Sequence, residues 1–418
     1  MNKRTYYHRI LRFGVAATVA IAAHAASATT ILKVWALPWS DSAHKAFEGM
    51  IADFERVHPD VDVRLETRGI DEHKTAVRVA LSSGEGPDIY YMWGGPGLGG
   101  EFVNERASAP LDQAYDRFKW DDRFEPTALA DSRRYAGGRH GVPFMMRGEG
   151  VYYNKTLFKQ AGISDPPRTY DELLAAAQEL KTKHIPSFVF GGNVNWHLMR
   201  LMDVLMEVKC GADKHDALMG MRLNWRTEPC AKASFDELKY WSDNFLLKPF
   251  MGIADDQAQG LFYAGRVAMA LEGDWFVQNI KSHADMSNFG LFAFPTGTGR
   301  LYFFSEYLYV SSRSRHKEIA AEFLNFVTSQ QEQQKYLGQF SSMSVVKGLD
   351  YRADPLQLNS AWRDVFRQAT GIFTNGDQAF PLDVTTEYWR IMNLVASDDM
   401  QPDQAAVAMQ RFIDNRRR

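Results

Sequence analysis

Apolar and polar positions follow two recurring periods along most of this chain. "ILKVWAL" (31–37) is a short apolar run of strand length. After it, Phe47, Met50, Ile51, Phe54 and Val57 keep the helical period, with Ser40 or Asp41 placed to cap the helix. "VDVRLET" alternates Val61, Val63 and Leu65, as a half-buried strand does. A helix over residues 72–83 and the strand "DIYYMW" complete the unit. Strand–helix–strand–helix–strand predicts a parallel sheet covered by helices.

The pattern resumes after "GGRHGVPF". "GVYYN" reads as a strand. Thr169 and Glu172 in "TYDE" form a capping-box signature before the helix "LLAAAQELK". "SFVFG" reads as a strand and "NWHLMRLMDVLMEV" as a helix rich in Leu and Met. Ser234 and Glu237 suggest a second capping box before "LKYWSDNFLL". "GRVAMALEGDWFVQNI" (265–280) predicts a strand and then a helix. Asp274 is placed as the N-cap of that helix, and Gly273 permits the turn. "FGLFAF" and "EYLYVSS" are strands, "KEIAAEFLNFV" is a helix, and the chain from about residue 345 reads as helices. This is too much sheet and helix for one core, and the alternation predicts two α/β lobes.

The composition agrees. The chain has 418 residues, 45% hydrophobic and 24% charged, enough for two or three domains with sizeable cores. The first 28 residues stand apart from the fold. They carry Lys3, Arg4, Arg9 and Arg12 without an acid, then a short apolar stretch, then Ala26-Ser27-Ala28. This is the layout of a cleavable export signal, and the mature chain is expected to begin at Thr29. Removing its four positive charges takes the formal net charge from −3 to −7. A mildly acidic chain with no basic run argues against nucleic-acid binding. Cys210 and Cys230 both lie in the exported part, where an oxidising compartment favours a disulfide, with a stabilising effect of about 3 kcal/mol for a loop of this length.

The candidate chemistry is sparse. "GPGLGG" (95–100) fits G-x-G-x-x-G but follows the third strand of its unit, and Pro96 removes one amide. A Gly-rich loop at the edge of a sheet is the simpler reading. No histidine pair has metal-ligand spacing, and no nucleophile motif is present, so neither a metal nor a cofactor is expected. Glu272 and Asp274, beside Trp275, leave several roles open: an acid/base pair, a metal shelf, a helix cap or a ligand platform. Capping is the favoured role for Asp274.

Residues 137–181, "GGRHGVPF…GVYYNKTLFKQAGISDPPRTYDELLAAAQELK", resemble the family-1 extracellular solute-binding proteins of carbohydrate ABC transporters, to which maltose-binding protein is related. "GEGPDIYYMW", "GRVAMALEGDWFVQNI" and "KEIAAEFLNFV" extend the resemblance over nearly all of the mature chain. It implies an α/β, two-lobed type II periplasmic binding protein fold, with a ligand cleft between the lobes and hinge crossovers near residues 144–150, 296–304 and 341–345. Lobe 1 would comprise 29–145 plus 303–340, and lobe 2 would comprise 146–302 plus 341–418.

The resemblance also implies a function. The protein would be a periplasmic, monomeric, non-enzymatic binder of a neutral sugar, oligosaccharide or polyol. It would close on its ligand and deliver it to an ABC permease in the inner membrane. Ligand contacts would come from Trp39, Ser40 and Asp41 after the first strand, and from Trp93 after the third. Arg147 and Glu149 would contribute at the first crossover, and Asn195 and Trp196 at a helix start. Trp275 would stack on the sugar. Glu387 and Trp389 lie in the C-terminal region, and Glu306 near the second crossover departs from the small residues common there. Flat aromatics cover a sugar's C–H face, while acids, amides and guanidinium groups satisfy its hydroxyls. Alternatives are a sugar phosphate or polyamine binder, or a secreted carbohydrate-active enzyme using a carboxylate pair.

Overall fold

A computed structural model describes residues 29–416 except Glu85. The export signal expected over residues 1–28 lies outside the described residues. Eight strands form one curled sheet: β1 (Thr30–Ala36), β2 (Val61–Thr67), β3 (Ile89–Trp93), β4 (Val142–Asn154), β5 (Met269–Gly273), β6 (Phe289–Phe292), β7 (Arg300–Val310) and β8 (Gly371–Phe373). The opening unit folds as the periodicity predicts. β1 is parallel to β2 and β3, connected through helices α1 (Asp41–Val57) and α2 (Ile70–Ser83). Ser40 caps α1 by accepting from the Ala43 N–H at 3.3 Å, and the helix buries Phe47, Met50 and Phe54. Each such side chain contributes roughly 1.5–3 kcal/mol when fully buried.

Beyond β3 the sheet turns antiparallel. β7 pairs with β3 on one side and β4 on the other, and β4 continues onto β5 and β6. β4 and β7 are the two longest strands, at 13 and 11 residues, and each joins two cores. Val142, Phe144, Met145 and Met146 pack with Leu32, Phe47 and Leu308, whereas Val151 packs with Leu173, Leu205 and Trp241. Likewise Phe303 belongs to the first core and Tyr302 to the second. The change of core on β4 falls on Arg147, Gly148, Glu149 and Gly150, so the polar part of the strand lies between the cores.

Several elements differ from the sequence expectation. "SFVFG" is no strand; Phe188 makes only isolated bridges, to Leu246 and Met269. Gly191 abuts the backbone of the next segment, where a Cβ would stand 2.7 Å from Asp255 Cα. Ser234 lies inside the Pro229–Asn244 helix, whose N-cap is Glu228, and donates to the Cys230 carbonyl instead of capping. The Thr169–Glu172 capping box is present. The last quarter is mostly helical but includes β8. Val345 and Val346 pack in the first core, with Glu125 N–H donating to the Val345 carbonyl, so this segment stays with the first core past residue 341.

Cys210 and Cys230 are bonded, with their Cα atoms 5.0 Å apart. The bridge ties the Met199–Met219 helix, beside its break at Gly211, to the start of the Pro229–Asn244 helix. Among the described residues no helix is long and apolar enough to cross a membrane.

Candidate ligand-binding cleft

Between the cores lies a cleft of about 350 Å³, within the range of small-molecule sites. Its floor is the crossover part of β4 and β7, which presents Arg147, Glu149, Phe304 and Glu306. One wall carries Trp39 and Ser40 after β1, Lys74 on α2, and Trp93 at the end of β3. The facing wall carries Trp196, Arg200, Asp255, Gln259, Trp275 and Asp377. Strand ends and helix starts thus converge on one space, the usual position of a ligand in an α/β fold.

Trp39 is held in a left-handed backbone conformation, with φ 48°. Such a position costs on the order of 1–3 kcal/mol in a non-glycine residue and persists where packing dictates it. Here the indole lies among Phe47, Tyr91, Phe144 and Phe340, with ring centroids 5.4–6.2 Å away. Trp275 is positioned differently. Its indole lies over Gly273, where a Cβ would stand 1.9 Å from Cζ3, so the glycine is required by this close approach. The guanidinium groups of Arg200 and Arg147 lie 5.1 and 5.9 Å from its ring centre.

The carboxylates of "EGD" serve the floor. Glu272 accepts from Arg200 at 2.6 Å and stands 3.4 Å from His197 Nε2. Asp274 does not cap a helix: the helix runs Phe276–His283 with Trp275 at its N-cap. Its carboxylate accepts from the Ser342 N–H at 2.7 Å and from Arg147 at 3.3 Å, which removes it from the capping position. Burial pushes the Asp274 carboxyl up to about 6, against the pull of Arg147 and the Ser342 amide. Burial pushes Glu149 further, to about 8. Arg200 offsets this only in part, and Glu272 and Asp377 add to the rise.

His197, Asp255 and Glu272 bring three ligand-type atoms within 4.8 Å of one another. The arrangement suits an ion-pair network better than a cation. Asp255 Oδ1 lies 3.0 Å from His197 Nδ1 and Glu272 Oε1 3.4 Å from its Nε2, and the Arg200 guanidinium occupies the Glu272 carboxylate. Burial lowers the His197 pKa, but the bonds to Asp255 and Glu272 outweigh it and raise the value.

Of the residues nominated from sequence, Trp39, Ser40, Trp93, Arg147, Glu149, Trp196, Trp275 and Glu306 line the cleft. Four do not. Asp41 is the exposed first residue of α1. Asn195 uses its carbonyl to accept from Asn393. Glu387 is paired with Arg390 on its own helix. Trp389 donates to Met199 Sδ and so stands behind a residue of the wall. Arg200, Asp255, Gln259 and Asp377 line the cleft without having been nominated. Arg200 had a signal: in the run "LMRLMDVLMEV" it shares one helix face, at i, i+3 and i+7, with Asp203 and Glu207 amid apolar residues. Asp255 and Asp377 sit in the first turns of the helices Asp255–Tyr263 and Gly376–Ala379, and neither helix start was read from the sequence.

The profile of the bacterial extracellular solute-binding proteins matches residues 40–334. The chain belongs to this family. The binding protein is 25% identical over 328 residues to the multiple sugar-binding protein of Streptococcus mutans, spanning 74% of each chain. It is 22% identical over 308 residues to the maltotriose-binding protein of Pyrococcus abyssi, covering 70% of this chain and 61% of that one. Among solved structures, a chitin oligosaccharide binding protein superposes with a TM-score of 0.83 at 22% identity, over 93% of this chain and 98% of the other. The binding protein therefore has the two-lobed α/β fold, and its family is one of binders rather than enzymes.

Proposed function

We propose that this binding protein captures a carbohydrate (a sugar, oligosaccharide or polyol) in the cleft and closes its lobes on it. The lobes divide where β4 and β7 change cores, at about residues 145 and 303. One observation carries the reading: tryptophans from both walls face a space whose buried polar atoms lack partners. Trp39 and Trp196 Nε1 are unpaired donors, and Asp377 Oδ1 is an unpaired acceptor. Aromatic faces with unmet donors and acceptors around them suit a ring of C–H groups rimmed by hydroxyls. The names of the relatives, which bind multiple sugars, maltotriose and chitin oligosaccharides, point the same way. A sugar phosphate fits less well, because both arginines are already engaged by carboxylates. In this reading the protein is exported as a monomer to the periplasm and hands its ligand to an ABC permease.

Isothermal titration against a broad panel of sugars and polyols tests this. Saturable 1:1 binding of at least one is expected, with a large loss of affinity in Trp275→Ala. A panel that gives neither heat nor a rise in melting temperature overturns the carbohydrate reading.

A further inference from the structure

The cleft holds more carboxyl groups than its own cations can satisfy. Glu149, Asp255, Glu306 and Asp377 line it, against Lys74, Arg147 and Arg200. Behind the wall, Glu272 and Asp274 draw on the same two arginines, and His197 stands between Asp255 and Glu272, 3.0 and 3.4 Å from them, so six carboxyl groups meet four basic side chains. Arg147 lies 3.3 Å from Asp274 and 3.2 Å from Glu306, and also donates to the Phe340 carbonyl. Arg200 lies 2.6 Å from Glu272 and 3.4 Å from Glu149. Each guanidinium is thus shared by two carboxyl groups.

Asp377 Oδ1, on a residue 9% exposed, has no hydrogen-bond donor, and Glu149 Oε2, on a residue 2% exposed, has only the Arg200 Nε at 3.4 Å. They come from separate elements, β4 and the one-turn helix Gly376–Ala379 after β8, and both line the cleft. The cations acting on Asp377 are Lys74, which lies 4.8 Å over the Trp93 ring, and Arg200, already committed elsewhere. A sugar hydroxyl brings one hydrogen and no charge to such a gap. An ammonium brings three N–H donors and a full positive charge, and hydrogen bonds between charged groups are about twice as strong as neutral ones.

We infer that the ligand is an amino sugar with a free amine, whose ammonium group seats between Glu149 and Asp377. This rests on the carbohydrate reading above and narrows it from the neutral ligand expected from sequence. The seat has a second signature. Burial, reinforced by Glu272, Asp377 and Asp203, outweighs Arg200 and raises the Glu149 pKa to about 8, which favours the protonated form at neutral pH. An incoming ammonium favours the ionised form, so binding releases that proton to buffer. A neutral sugar does not drive this release.

The test is calorimetry at about pH 6.5, where the sugar amine is protonated. The free-amine disaccharide of chitosan is compared with its N-acetylated counterpart and with the hydroxyl counterpart cellobiose, in two buffers of different ionisation heat. The free amine is expected to bind about tenfold or more tighter than either counterpart, the range set by one added charge-assisted contact. Its binding heat should change with the buffer as proton release requires. In Asp377→Asn the ratio of free-amine to hydroxyl affinity should collapse toward unity. If the neutral sugars bind as tightly as the amine in the parent protein, the ammonium seat is wrong and the carbohydrate reading stands. If no sugar binds while spermidine does, both fall.

Discussion

Arg147 and Arg200 each serve two carboxyl groups, and the burial of those groups has a consequence that pH exposes. Glu149 is raised to about 8 by burial, above the ~4.3 of an unfolded glutamate. Between those values the folded chain holds a proton that the unfolded chain has lost. The group therefore favours folding at low pH, and that contribution disappears as pH rises through about 8. Asp274 and Asp203, each raised by burial to about 6, act in the same direction over a lower window. Glu149→Gln keeps the shape and removes the ionisation. Its melting temperature relative to the parent is expected to climb between about pH 5 and pH 9, read from thermal melts in a buffer series. A difference that stays flat with pH would contradict the burial of an ionisable Glu149. At this scale the sequence was legible where chemistry is local. Ser40 caps its own helix, whereas Gly273, read as permitting a turn, instead leaves room for the Trp275 ring. Asp274 was misread because its partner, the Ser342 amide, lies 68 residues away.

At the scale of elements, the Gly-rich turn after β3 joins the two walls. Gly97 N–H donates to the Gln378 carbonyl at 3.0 Å. A Cβ on Gly97 would stand 1.8 Å from the Phe380 carbonyl oxygen and 2.5 Å from that of Asp377. Both neighbours are backbone, so the clash cannot be relieved by a rotamer. The "GPGLGG" turn is therefore a contact between walls, packed closely against the segment that carries Asp377. Asp203 fixes that segment from behind, accepting from Tyr302, Tyr388 and the Gly376 N–H at 2.7–2.9 Å. On the proposed closure of the lobes over the ligand, Gly97→Ala should disfavour the closed arrangement while leaving both cores intact. A loss of 1.4 kcal/mol there lowers ligand affinity about tenfold. Titration beside the parent protein checks this, and equal affinities would show that the turn does not bias closure. Strands and helices with a clear period were readable in advance. "SFVFG" was not, because its neighbours deny it a full ladder, and no periodicity reports that.

For the whole molecule, the sequence carried the two-lobed fold further than it carried the cleft. The motifs shared with the family implied crossovers near residues 144–150 and 296–304, and those stretches fall on β4 and overlap the start of β7. The cleft draws on helix starts such as those of Asp255 and Asp377, which reach the site only through the tertiary fold. Eight of the nominated residues lie in the cleft because they sit at strand ends or on crossovers, whose positions the topology dictates. Asp41, Asn195, Glu387 and Trp389 fall outside it because neighbouring positions on a helix or its approach face different ways. The central claim is that the space between the cores binds a carbohydrate. Native mass spectrometry of the protein, incubated with a mixture of saccharides, polyols, amino acids and short peptides, tests it directly. The account predicts a single 1:1 adduct with the mass of a saccharide or polyol. An adduct with the mass of an amino acid or peptide, or none at all, would contradict it.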